Sequence, residues 1–212
     1  MSWGFKVWTG SAHLIIDGQS QMMRLHYKTS VTGDETISFQ ALEEKPLIFI
    51  SPKNQVDFPG YRPKKSGSSW DQADIYHLLD DTQSEVFVFK RAEGATPSGW
   101  GLFCRSPSGE LIIDGTSKML RLHARFTGQL SQGAPVTHSF TDLGYIPPAI
   151  LTEWTAYWEP IDEEWIRIKR VGYKVSSNSI TLDWVELIGL EEEASPGGDD
   201  SGTYDVYVFA YQ

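Results

Sequence analysis

One pentapeptide, present twice, constrains this chain more than any other feature. LIIDG occurs at Leu14 to Gly18 and again at Leu111 to Gly115 within 212 residues. A shift of 97 residues, Trp3 onto Trp100, lays WGFKVWTGSAHLIIDGQSQMMRLH on WGLFCRSPSGELIIDGTSKMLRLH. Trp-Gly, LIIDG, the next Ser, a Met and Arg-Leu-His all coincide. Farther along, SFQALEEKP from Ser38 faces SFTDLGYIP from Ser139 with a shift of 101, so the second copy is longer in between. EVFVF (Glu85 to Phe89) then answers DVYVF (Asp205 to Phe209). Self-similarity at one offset is the mark of a repeated structural unit. The chain reads as an internal duplication, with a first repeat over residues 1–90, a linker over 91–97 and a second, larger repeat over 98–212.

Within each repeat the dominant period is two, which is the period of a half-buried strand. In QMMRLHYK, Met23, Leu25 and Tyr27 share the inward face, and Met22, Arg24 and His26 face out. In KMLRLHARF, Leu120, Leu122, Ala124 and Phe126 fall inward, and Met119, Arg121, His123 and Arg125 fall outward. Asp-Gly between LII and the alternating run predicts a strand entering a hairpin turn, because glycine reaches positive φ without steric penalty. SSNS (Ser176 to Ser179) predicts a polar turn between two further alternating tracts. The best helical candidate is WDQADIYHLLDD, Trp70 to Asp81, where Ala73, Tyr76, His77 and Leu78 approximate helical spacing behind an acidic N-terminal end. Pro52 to Trp70 and Glu191 to Thr203 read as loops before each closing strand. The predicted class is all-β, as two tandem antiparallel β-sandwich domains.

Composition narrows the chemistry. The net charge of −10 repels phosphate backbones, and no basic stripe with interleaved aromatics stands out, which argues against nucleic acid and against an anionic membrane surface. No stretch approaches the length of a membrane-spanning helix, and the N-terminal MSWGFKVWTG lacks the basic and apolar regions of a secretion signal. A single cysteine, Cys104, gives no disulfide framework. The expectation is a soluble protein made in the cytoplasm, without membrane insertion.

No familiar catalytic motif emerges: the chain has no G-x-S-x-G, no H-E-x-x-H, no glycine-rich phosphate loop and no spaced cysteine pair. No cofactor and no catalytic or metal-binding residue is therefore assigned. His26 and His123 recur as possible imidazole ligands, but the neighbouring Arg24 and Arg121 disfavour both a protonated ring and a bound cation. Asp17 and Asp114 suit a turn on local grounds alone. The acidic run Glu191, Glu192, Glu193, Asp199 and Asp200 has the oxygen chemistry of a Ca²⁺ loop without the spacing of an EF-hand. Trp154, Trp158, Trp165 and Trp184 lie among many carboxylates. They can serve as core or interface residues, as stacking platforms for a glycan, or as the surroundings of a paired-carboxylate glycan hydrolase. The outward positions Met22, Arg24, His26, Met119, Arg121 and His123 are the candidate interface. Both copies keep them on a face where duplicates are free to diverge, and Met and Arg are favoured where surfaces meet.

These pieces carry a resemblance. A Trp-Gly strand, [AG]-x-LIIDG, S-x-M-x-R-L and a closing YDVYVFA resemble small tail-tip or fibre-associated structural proteins of tailed bacteriophages, over parts of both repeats. The resemblance implies a non-enzymatic structural component of the virion tail, at the tip, baseplate or fibre attachment. It implies a homo-oligomer, a trimer or a ring, with other tail proteins as partners and a host-surface glycan as a further contact. The alternatives are a carbohydrate-binding β-sandwich module and a glycan hydrolase.

Overall fold

The computed structural model describes residues 4–9, 12–17, 23–91, 103–105, 111–114, 118–131, 133–154, 156–160, 165–190 and 201–211. The N-terminal half runs β1 (Gly4–Thr9), β2 (Ala12–Asp17), β3 (Met23–Thr32), β4 (Glu35–Leu42), β5 (Leu47–Pro52), β6 (Gly60–Ser66), β7 (Ser69–Tyr76) and β8 (Gln83–Arg91). The C-terminal half runs β9 (Phe103–Arg105), β10 (Leu111–Asp114), β11 (Leu120–Ser131), β12 (Val136–Ser139), β13 (Ala149–Trp154), β14 (Ala156–Pro160), β15 (Trp165–Val175), β16 (Ser179–Leu190) and β17 (Ser201–Tyr211). The protein is all-β, with no helix among the described residues, so none is long and apolar enough to cross a membrane.

Strand order repeats along with the sequence. The first half builds the antiparallel sheets β3-β8-β5 and β4-β7-β6; the second builds β11-β17-β13 and β12-β16-β15-β14. Once β14 is set aside, the orders correspond strand for strand. Each half also carries a separate two-stranded sheet, β1-β2 and β10-β9. LIID lies on the second strand of both.

Burial follows from alternation. Val31, Ile37, Ile48, Ile50, Ala73, Ile75, Val86 and Val88 fill a core between the two N-terminal sheets. Leu130, Val171, Val175, Ile180, Leu182, Val206 and Val208 do the same between the C-terminal sheets. On β8, Phe87 and Phe89 alternate with Val86 and Val88 and point the other way, into a third cluster with Phe49 and Tyr211. Leu120, Ile150 and Phe209 of the second half pack against that cluster. The sheets β3-β8-β5 and β11-β17-β13 are thus covered on both faces and meet at a shared aromatic core, giving four layers. Within it Phe49 stands edge-on to Phe89 at 5.6 Å between ring centroids, and Phe87 lies 5.6 Å from Tyr211. Burying each such ring contributes roughly 1.5–3 kcal/mol relative to leaving it in water.

The structure departs from the expectations of the sequence at several points. Trp70 to Asp81 holds no helix: Ser69–Tyr76 is strand β7, with Ala73 and Ile75 buried at period two. The expected loop from Pro52 to Trp70 contains strand β6, which turns at Gly67 (φ 65°) to pair with β7. The Asp-Gly of the first repeat does not join paired strands. β2 pairs back onto β1, with Thr9 opposite Ala12, so two residues connect them. The polar turn at Ser176 to Ser179 forms as predicted, with Ser176 N–H donating to the Ser179 carbonyl at 2.8 Å. Of the expected linker over 91–97, Arg91 ends β8, and the rest lies outside the described residues.

Candidate functional site at the seam between the halves

The repeated strands β3 and β11 carry the same irregularity. On β3 the register steps from Leu25 opposite Phe89 to Tyr27 opposite Val88, leaving His26 as the extra residue. On β11 it steps from Leu122 opposite Phe209 to Ala124 opposite Val208, leaving His123. An extra residue in one strand reverses the face presented by everything beyond it. Met23 and Leu25 therefore pack on the shared cluster, whereas Tyr27 packs on the N-terminal core. Likewise Leu120 meets the shared cluster and Ala124 and Phe126 meet the C-terminal core, with Leu122 at 56% exposure. The single inward face read from the sequence is two faces separated by a bulge.

Each bulged histidine is held inside its own half. His26 Nε2 lies 2.8 Å from the carbonyl oxygen of Gln40, and its ring stands edge-on to Phe39. His123 Nε2 lies 3.3 Å from the carbonyl oxygen of Thr141, and its ring stands edge-on to Phe140. With a carbonyl as neighbour, each Nε2 is the donor. Burial lowers the pKa of His26; the Gln40 carbonyl opposes this, and the charges of Lys90 and Arg24 lower it further.

Arg24 and Met119 form a bridge between the halves, and Leu25 N–H donates to the Lys118 carbonyl at 2.8 Å. Two of the candidate interface residues thus meet each other within one chain. Arg121 is exposed. Met22 lies outside the described residues.

At the other edge of the shared core, β5 is tied to the C-terminal half by buried polar groups. Ser51 Oγ donates to the Pro147 carbonyl at 2.7 Å and accepts from Ala149 N–H at 3.1 Å. Tyr173 OH donates to the Ile50 carbonyl at 2.6 Å. Burial, reinforced by the Asp57 carboxylate, keeps that phenol protonated far above the usual tyrosine range. Asp57 and Tyr173 exchange backbone hydrogen bonds of 3.1 and 2.9 Å. The Asp57 carboxylate accepts from the N–H groups of Phe58 and Leu78, which fixes the loop before β6. Gly172 makes this approach possible, since a Cβ there would sit 2.7 Å from the Asp57 carbonyl oxygen.

A second repeated feature escaped the sequence reading although both members were aligned in it. Lys28 pairs with Glu85 at 3.1 Å and lies over the ring of Phe87; Arg125 pairs with Asp205 at 2.8 Å and lies over the ring of Tyr207. Lys28 and Arg125 are related by the shift of 97, and EVFVF by its alignment with DVYVF supplies the acids and rings. Burial alone would raise the Glu85 carboxyl, but hydrogen bonds from Ser30, Lys53 and Lys28 outweigh it and hold the group below its ordinary value. Hydrogen bonding from Arg125 does the same for Asp205.

The tryptophans divide by strand. Trp154 is on β13 opposite Tyr204, Trp158 on β14 opposite Ile168, Trp165 on β15 opposite Leu190 and Trp184 on β16 opposite Val171. Trp184 packs against the C-terminal core, and a Cβ at Gly202 would collide with its ring at 2.8 Å. For the other three only the strand positions are described. The acidic run from Glu191 to Asp200 lies outside the described residues, and among the described ones no group of three His, Cys, Asp or Glu side chains is placed to hold a metal ion. No protein-family model, no curated protein and no solved structure matches this chain.

Proposed function

We propose that this chain is a non-enzymatic structural component of a bacteriophage tail, built by duplication of one β-sandwich unit and acting through assembly. The observation that carries this reading is the seam. The most strongly repeated strand of the sequence joins the two halves at Arg24 and Met119, and a shared aromatic core welds their inner sheets into one four-layered block. Buried polar groups such as Ser51 and Tyr173 are spent on holding the layers together. The outer sheets keep β4, β6, β12 and β14 as edge strands, and strand edges are natural sites for adding a neighbour. The resemblance to small tail proteins supports the same assignment. In this reading the partners are further copies of the chain, as a trimer or ring, and other tail proteins. The location is the virion, after synthesis in the host cytoplasm.

Sedimentation velocity of the purified chain, alone and co-expressed with tail proteins of the same virus, tests the proposal. A defined oligomer or co-migration with tail particles is the expected result. A monomer that joins no particle overturns it and transfers the weight to a free carbohydrate-binding module, which a glycan array would then reveal.

A further inference from the structure

Strand β8 changes character abruptly where the apolar run Val86 to Phe89 gives way to Lys90 and Arg91. Alternation keeps Lys90 on the face of Val86 and Val88, which covers the N-terminal core. The residue directly opposite Lys90 in the ladder is Arg24. Two cations therefore stand face to face at the mouth of the N-terminal layers, an arrangement that destabilises a sheet unless a counter-charge is supplied.

Among the described residues neither Arg24 nor Lys90 has an ion-pair partner. The ion pairs there use Lys28, Lys53, Lys64, Arg91 and Arg125. Glu44, beside the cation pair, is held by Arg91 at 3.0 Å. Arg24 Nε is buried with no hydrogen-bond partner. Burial and then the charge of Arg24 lower the pKa of Lys90, and both cations depress His26. The arrangement is peculiar to one half, because Arg121 in the second half faces Ala210. It also occurs in a chain whose net charge is −10, so an excess of basic residues does not account for it.

Lys90 lines a cleft of about 320 Å³ between the end of β8 and the turn after β4, together with Leu42, Glu43, Glu44, Lys45 and Arg91. We propose that Arg24 and Lys90 form a binding site for an oxyanion, a phosphate or carboxylate group carried by a small ligand. The guanidinium fork and the ammonium supply charge-assisted donors to such a group, and its negative charge cancels the repulsion between them. Glu43 and Glu44 on the facing wall disfavour a second negative charge. The site therefore suits a ligand with one anionic group and a neutral remainder, and it rejects polyanions.

His26 is a built-in reporter, because a bound anion beside Arg24 and Lys90 raises its pKa. Proton NMR of the His26 ring, assigned with His26→Gln, follows the full chain during titration with sodium phosphate or sodium glucuronate at constant ionic strength, with chloride as reference. A saturable upward shift of the His26 pKa is expected with at least one of the two, and the more effective anion identifies the preferred group. Lys90→Gln should raise the His26 pKa without ligand, increase thermal stability in chloride and abolish the saturable response; Arg24→Gln should abolish the response independently. The proposal is overturned if neither anion acts differently from chloride, or if the phosphate and glucuronate responses survive Lys90→Gln undiminished.

Discussion

Tyr173 donates a 2.6 Å hydrogen bond to the carbonyl oxygen of Ile50, 123 residues earlier and in the other half of the molecule. Both residues are buried, and Ser51, next to Ile50, bonds to Pro147 and Ala149 beside it. The junction therefore combines specific polar contacts with the shared aromatic core, and its strength can be measured.

Tyr173→Phe keeps the ring and removes the hydroxyl that donates to the buried Ile50 carbonyl. A loss of about 1–3 kcal/mol is expected in chemical denaturation, because an unsatisfied buried acceptor costs its full desolvation. Ser51→Ala should cost a similar amount, and the two together should depart from additivity because they share one junction. Strict additivity would show that the two contacts act independently.

Phe89 lies at 0% exposure in the cluster that both halves share. Phe89→Ala is expected to destabilise by about 3–5 kcal/mol through lost burial and the cavity left behind. Because each inner sheet serves two cores, wild-type melting should appear as a single calorimetric transition. Two well-separated transitions would mean that the halves fold independently of the seam.

The lowered pKa of Glu85 links stability to acid. Its folded value lies below the ordinary 4.5, so the unfolded chain binds the proton more readily. The contribution is present above pH 4.5 and is lost as pH falls through the folded value. Glu85→Gln should be less stable than wild type at neutral pH, and the gap should narrow below pH 4.5. Urea midpoints collected across that range provide the check.

His26 and His138 give a second, higher window. Both pKa values lie below 6.5, with burial as the leading cause, and His138 is stacked on Phe126 at 4.5 Å with Nε2 2.8 Å from Tyr204 OH. The folded state favours the neutral rings, so stability should fall as pH drops below 6.5 and through the lower folded values. Replacing both histidines by glutamine should flatten that slope. An unchanged slope would assign the pH dependence to other groups.

The sequence by itself determined the β class, the repeat and most of the strands, because period-two alternation and turn chemistry are local properties. It also held a sign of the layering: the runs VFVF after Glu85 and VYVF after Asp205 are continuously apolar, as strands buried on both faces are. What would cover the second face was not legible, since Phe87 and Tyr211 are 124 positions apart and only the packed chain brings them together. Helical spacing at Ala73, Tyr76 and His77 misled because it competed with Ala73 and Ile75, whose burial depends on a sheet assembled elsewhere in the chain. The bulges at His26 and His123 were likewise invisible. A strand's register is set by its partner across the ladder, and one extra residue there decided which core Leu25, Tyr27, Leu120 and Ala124 would serve. The tertiary structure alone set Arg24 against Lys90 and joined Arg24 to Met119, because hydrogen-bonded pairing between distant strands is a property of the folded whole.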